Sequence, residues 1–584
     1  MKFRRLQNYR KTGTAVLAIV FYLCSWISAA AQDRSASLLG YIVIPDITIT
    51  AERLWGYAEA VEPGKYDKDY FTRKAGSLLG DPALDNIKKE MPIVFMLFQN
   101  TGQDDTGMNR LNRMEFAVVL PVKDKKRYVE SLQKMNFFYE TNDDRMIISN
   151  KKSALFFAQR EMKFYRKLSR EKYNCDFRGV AKIESFMSVY RASIEAGLKV
   201  LQGFNKLNNF SGKNSEDEAG LAMGKFFLYG MLELAFQSKD YQIDVLINRE
   251  YIDFSGEFSA VPGSDLSRFF DGETQKENRS LALLPGRGQL TYAGYLDMKR
   301  LRELAENLLS LCIKRDPSLE KHLNRDFVNA YLDYTDLYLG EFAVTYGFSS
   351  SGRLEIDVAA ATGSSDEEHL KANDRFMEVY NSVMKKYEGM TGFSGYSMQK
   401  NYRKSGDVDV HRFIMNIDLS KVSDAEKEMM QKMFGKEFAM EFAVSGGFIA
   451  ASTSPENLDK IIANTGSVPA VTELLSRKAF GPGMDSYADM DLISFMERII
   501  DLANEDKSVN DPSIDSFKKM IQNLDLQNRN ILFSAKYSKG VSYRRSRVPA
   551  RLVTDFIRNV KEQQKKESAG ENTEDFESFD ESED

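Results

Sequence analysis

The sequence predicts an α+β fold of two related halves, each an antiparallel sheet with helices packed mainly on one face. Three observations point there. Residues 241–270 read as strand, turn, strand, proline, helix, and residues 531–557 read the same way. In both, a Val-Pro pair (Val261-Pro262, Val548-Pro549) follows an alternating strand. In both, two apolar residues stand seven and eight positions after the proline: Phe269 and Phe270, Phe556 and Ile557. Second, Tyr295-Leu296-Asp297-Met298 precedes Leu301, Leu304 and Leu308, and Tyr487-Ala488-Asp489-Met490 precedes Ile493, Met496 and Ile500 at the same offsets. An aspartate at such a junction can accept from the free N–H groups of a helix start. Third, the hairpins alternate apolar with polar, as sheets with one wet face do.

The chain has 584 residues, enough for two sizeable cores. It is expected to open on an export signal. Lys2, Arg4, Arg5, Arg10 and Lys11 form a positive start, residues 15–27 an apolar run, and Ala29-Ala30-Ala31 a small-residue cleavage site that leaves Gln32 first. An uncleaved anchor is the alternative, although the run is short of the ~20 residues a span needs. The formal charge of −5 becomes −10 when those five cations leave. No bulk positive charge remains for nucleic acid. Cys24 sits in the apolar run, without the small residues that precede a lipidated cysteine. Of the other two, Cys175 and Cys312, the latter falls on the apolar face of a helix. A bridge between them is possible in an exported chain, and a small buried hydrophobe is the plainer reading.

The elements follow in order. Residues 38–45 form a strand, and Thr50 can cap a helix carrying Leu54, Tyr57, Ala58 and Val61. Asp81-Pro82 opens a short helix. Residues 93–98 and 116–122 are apolar strands around a polar loop at 100–112. Asp124 caps a helix with Tyr128, Val129 and Leu132. Residues 146–149 form a strand before the helical stretch 154–158, and 159–173 a basic amphipathic helix. Residues 179–201 hold another strand-to-helix junction, with Lys182 in place of the aspartate, and Asp46 begins a looser one. That makes four junctions, two per half. Residues 219–237 are apolar nearly all round, the pattern of a helix buried in a large core. A helix that meets a membrane or partner is the alternative.

A polar segment at 271–279 divides the halves, placed at 38–275 and 280–560. In the second, residues 341–348 and 353–361 are strands, 366–387 a helix, and 411–419 a strand before a Met-rich helix at 425–434. Gly446-Gly447 turns a hairpin, and Thr453-Ser454-Pro455 starts a helix. From Lys561 to residue 584 the chain carries three lysines and ten carboxylates, with Phe576 and Phe579 its only large apolar residues. Disorder is expected there, as a solubilising tail or a docking motif built on the two phenylalanines.

Catalytic patterns are hard to find. His322, His369 and His411 stand apart, and no zinc-binding HExxH or cysteine pair occurs. Gly392-Phe393-Ser394-Gly395 lacks the last glycine of a nucleophile elbow, because Tyr396 stands there. Gly286-Arg287-Gly288 lacks the third glycine of a dinucleotide loop. Asp104-Asp105 and Asn142-Asp143-Asp144 lack the ligand spacing of a calcium loop. Arg544, Arg545, Arg547 and Arg551 form a basic patch, read as charge protecting an exposed edge strand or as an anion or headgroup contact. Alternation puts Arg545 and Arg547 on one face and Arg544 on the other. No catalytic, cofactor-binding or metal-ligating residue is singled out, and no cofactor is expected.

The export signal, the junctions YLDMKRL (295–301) and YADMDLI (487–493), and the segment GGFIAASTSPENLDKII (446–462) resemble, in layout over much of residues 38–560, large exported bacterial proteins of the DUF3352 type. That family has no established activity to carry over. The resemblance implies a bacterial cell-envelope protein without known catalysis. The expected function is a non-catalytic binding or structural role in the periplasm or at the cell surface, with a protein or apolar-ligand partner, no nucleic acid and no span after cleavage. A carrier of lipid or another apolar molecule is one alternative. A hydrolase is another, and it predicts a pocket of convergent polar groups around a perturbed carboxylate.

Overall fold

The computed structural model describes residues 37–99, 114–132, 137–208, 215–272, 278–322, 325–349, 351–384, 393–417, 424–435, 437–466, 473–505, 518, 521, 524 and 529–574. The expected signal, the polar loop at 100–112 and the last ten residues of the acidic tail lie outside them. To Phe270 the order is β1 (Ser37–Ile44), α1 (Ile47–Val61), α2 (Tyr70–Leu78), β2 (Ile93–Gln99), β3 (Met114–Pro121), α3 (Lys125–Leu132), β4 (Phe138–Asn142), β5 (Arg145–Ser149), α4 (Lys152–Arg160), α5 (Met162–Leu168), β6 (Phe177–Ala181), α6 (Ile183–Asn208), α7 (Ser215–Phe236), β7 (Ser238–Ile247), β8 (Tyr251–Ala260) and α8 (Asp265–Phe270).

From Ser280 it continues with α9 (Ser280–Leu283), β9 (Leu290–Tyr295), α10 (Met298–Arg315), α11 (Leu319–His322), α12 (Arg325–Thr335), β10 (Tyr338–Phe348), β11 (Leu354–Thr362), α13 (Asp366–Met384), β12 (Phe393–Ser405) and β13 (Val408–Ile417). The last part holds α14 (Asp424–Phe434), β14 (Phe438–Ser445), β15 (Phe448–Ser452), α15 (Pro455–Thr465), α16 (Leu475–Phe480), β16 (Ser486–Asp491), α17 (Leu492–Glu505), β17 (Asn530–Ser538), β18 (Val541–Pro549) and α18 (Ala550–Glu574).

The 18 strands form one antiparallel sheet, where two separate sheets are expected. Pairwise registers give the spatial order β4-β5-β3-β2-β1-β6-β7-β8-β18-β17-β16-β9-β10-β11-β15-β14-β13-β12. The seam is β8 against β18, continuous from Tyr251↔Pro549 to Val541↔Ser259. Because β17 holds its other side, β18 is a central strand and its arginines guard no edge.

Both ends of the sheet are covered on both faces, where one covered face is expected. At one end Leu155, Ala158 and Tyr165 of α4 and α5 pack on Met96, Val119 and Ile147. Tyr128 and Leu132 of α3 pack on Val118, Leu120 and Ile148, the alternate residues of the same strands. The cause is visible in residues 93–98 and 116–120, which are runs of apolar residues rather than alternations. At the other end α9 and α15 cover Ala343, Ala359 and Ala450 on one face, and Leu370 of α13 meets Ala360, Phe442 and Ile449 on the other.

Several local expectations change. Asp46 caps α1, accepting from the Thr48 and Ile49 amides at 2.9 and 3.0 Å, and Thr50 lies inside the helix. Asp81 opens no helix; its carboxylate accepts from the Asn86 amide at 2.8 Å in a turn. Residues 159–173 break into α4 and α5 at Glu161 and bury Met162, Tyr165 and Leu168. Asp297 caps α10 as expected, accepting from the Arg300 amide at 3.0 Å. Asp489 does not cap the following helix. It is buried in β16 and accepts from the Leu475 and Ser476 amides of α16 at 2.6 and 2.8 Å, while Asp491 caps α17 through Ser494.

The α7 helix is not wholly buried, since Phe227 and Met231 are 65 % and 67 % exposed. Phe269 and Phe270 pack on Tyr537, whereas Phe556 and Ile557 are exposed. Helix α18 runs on to Glu574, so the tail begins as helix; its Glu, Lys, Gln and Ala residues are good helix formers. Cys175 and Cys312 are free thiols, the latter buried among α6, α7 and α10. No described helix is long and apolar enough to cross a membrane.

Candidate functional site

The middle of the sheet has two unlike faces. Gln242, Asp244, Ser255, Glu257, Tyr543 and Arg545 project to one side, where Arg178 grips Asp244 with two bonds of 2.7 Å. The alternate residues project to the other. One row of directly opposed residues there reads Phe95, Ile42, Gly179, Ile243, Gly256, Arg544, Ala535, Ser486 and Gly294, crossing from β2 to β9. A flanking row reads Phe254, Ser546, Phe533, Ala488 and Tyr292.

The first row is low and its neighbours are tall. Glycine inside a strand weakens it and commonly marks a close approach by another molecule. Here Gly179, Gly256, Ala535 and Ser486 form a floor, with Phe254, Phe533 and Tyr292 rising beside it and the Tyr241 ring lying across Gly256. The result is a trough of two adjoining clefts, of about 490 and about 660 Å³, that share Tyr241 and Ile243. Those volumes lie in the range of ligand pockets. Helix α8 closes one side: Phe270 stacks on Tyr537 at 5.7 Å and meets Phe258 edge-on at 5.8 Å.

The trough wall is apolar yet reaches solvent. Ile42 is 49 % exposed in mid-strand with Leu97 and Phe116 exposed beside it, and Tyr241 and Phe533 are exposed further along the trough. Large apolar residues exposed in a group along a cleft, rather than scattered singly, mark interaction sites. Arg544 is the cation in the floor row, and Arg545, the next residue of β18, also borders the cleft. The Arg544 Nε donates to Ser542 Oγ at 3.3 Å, and no carboxylate pairs with Arg544 among the described residues. Its neighbour Arg547 behaves differently, binding Asp253 with bonds of 2.7 and 2.8 Å on the other face. The face assignment expected for the arginines therefore holds.

A second, polar cleft of about 370 Å³ is lined by Arg287, Thr345, Glu355, Asp357, Lys460 and Asp491. Desolvation, then the charges of Asp357 and Glu456, hold the Glu355 carboxyl above its usual range. Asp357 is already satisfied by Ser452, Asn457 and Thr345. The Gly286-Arg287-Gly288 turn lies in this cleft. His369 and His411 are fully buried. His411 Nδ1 accepts from the Asn401 amide at 3.0 Å, so Nε2 carries the proton and donates to Asp366. His369 Nε2 meets Thr362 Oγ1 at 2.9 Å, while Nδ1 has no partner.

The His322 and Ser394 side chains and Asp104-Asp105 lie outside the described residues. Asp143 and Asp144 are engaged by Arg166, Lys88 and Arg145. No group of three potential ligands is gathered for a metal among the described residues. The trough floor is what a sequence reading misses, although glycines within strand patterns were the available signal. No family model, curated protein or solved structure matches the chain.

Proposed function

We propose that this is an exported, non-catalytic binding protein of a bacterial cell envelope whose central trough takes an elongated apolar molecule. The observation that carries the reading is the open apolar face of the middle strands, opposite a polar one. Ordinary sheet patterning puts the apolar face under cover and the polar face in water. A face that is apolar, floored by small residues and still open has the character of a site rather than a core. Burying a large apolar side chain stabilises by about 1.5–3 kcal/mol relative to exposure, so a ligand covering several of these has a substantial driving force. Export rests on the cationic and apolar start of the chain and on Ala29-Ala30-Ala31.

The protein is further read as an internal duplication of residues 38–275 and 280–560. Support comes from strand order. Outward from the seam one half runs β8-β7-β6-β1-β2-β3-β5-β4, and the other β18-β17-β16-β9-β10-β11-β15-β14, with the hairpin β12–β13 added at the rim. The trough would then lie across the junction of the two copies.

A polarity-sensitive apolar dye tests the trough. Wild-type protein binds it with enhanced fluorescence. Ala535→Phe, which raises a phenyl ring from the floor, weakens binding at least tenfold with an unchanged far-UV circular dichroism spectrum. Equal dye binding by the two proteins, or none by wild type, would sink the proposal. Hydrolysis in the polar cleft is the second reading, and it rests on Glu355 alone.

A further inference from the structure

The geometry points to a long-chain carboxylate as the occupant of the trough, its anionic head paired with Arg544; this rests on the trough reading above. Arg544 lies opposite Gly256 on one side and Ala535 on the other, with the Tyr241 ring lying across Gly256 and Tyr537 bordering the same cleft. The Arg544 Nε leans on Ser542, and no ion pair holds the terminal nitrogens among the described residues. The nearby Asp485 carboxylate is committed to the Tyr537 amide at 2.6 Å.

A neutral hydrocarbon laid over this floor would strip water from the guanidinium and return nothing, which is costly. A ligand that brings a carboxylate replaces that water with a charge-assisted, two-pronged bond, the geometry arginine favours. The one guanidinium in the floor row matches one negative charge, whereas the second charge of a phosphate monoester near −2 would have to reach Arg545, which borders the cleft but alternates to the opposite face of β18. From Arg544 the row crosses Gly256 and Ile243 to Gly179, three strand spacings or about 14 Å. A single acyl chain, half of a bilayer's hydrocarbon core, is about 15 Å. The end of the tail would then reach Gly179, at the border of the apolar cleft beside Ile42.

The test uses the full mature chain after delipidation, with the apolar dye in the trough and three competitors of one chain length: tetradecanoate, tetradecanol and tetradecyl phosphate. Wild type is expected to release dye to tetradecanoate at least tenfold more readily than to tetradecanol. Arg544→Gln should bring that ratio near one and leave tetradecanol unchanged, and Arg544→Lys should restore part of it. If wild type binds the acid and the alcohol equally, the head assignment falls and the trough reading stands. If dye and all competitors fail to bind, both fall. Tighter binding of tetradecyl phosphate overturns the choice of a carboxylate. An equal loss of all three ligands in Arg544→Gln overturns the pairing, because it would mean a structural role.

Discussion

His369 is buried between α13 and the end of β11, with one ring nitrogen on Thr362 and the other bare. Burial lowers its pKa from 6.5, against smaller opposite pulls from Asp366 and Glu368. In the unfolded chain the ring takes up a proton as pH falls through 6.5, and the folded protein resists until lower pH. The unfolded state then binds more protons, so stability falls with acidity in that window, by up to about 1.4 kcal/mol per pH unit. His369→Gln, which keeps a donor for Thr362, should flatten the difference between urea midpoints at pH 7 and pH 5. An unchanged difference would remove His369 as its source. Single residues were legible where their chemistry is local. Asp297 is a cap in sequence and in structure. Asp489, at the same offset, serves another helix 13 residues back, because tertiary placement outweighed the junction pattern.

Elements were more legible than their partners. The alternating strands and the Gly446-Gly447 hairpin stand where periodicity puts them, the two glycines at φ +57° and +79°. Helix α7 shows the limit: a pattern apolar all round predicts burial, yet Phe227 and Met231 face out. In β1 the register shifts between Leu38 and Gly40, and the chain there closes on β6. A Cβ on Gly40 would stand 2.6 Å from the Val180 carbonyl oxygen, a backbone atom that cannot swing away. Gly40→Ala should therefore destabilise by about 1–3 kcal/mol, the usual cost of overpacking, read as a lower urea midpoint with unchanged slope. A midpoint equal to wild type would mean that β1 and β6 approach less closely. The small residues of the floor were equally visible as letters, but nothing local says that Gly179, Gly256 and Gly294 share one row. Registers of several strands bring them together.

At the scale of the molecule, the seam decides the architecture. Two sheets with free edges would leave β8 and β18 half-paired, whereas one sheet joins them over their length and sets the two clefts side by side. Local patterning cannot choose between these, since it records which strands exist and not which edges meet. The four arginines were read as edge protection for that reason. Hydrogen exchange distinguishes the two arrangements. Amides of β8 and β18 should exchange as slowly as those of β7 and β17, because every strand there has two partners. Fast exchange of alternate β18 amides would indicate a free edge. The central claim is that the trough across the β8–β18 seam holds an apolar molecule. It is tested most directly by native mass spectrometry of the protein, purified from its native cells without detergent, beside Ala535→Phe. The account predicts a wild-type mass above the polypeptide that dissociates as a small apolar acid and is missing from Ala535→Phe. A bare polypeptide mass for both proteins would contradict it.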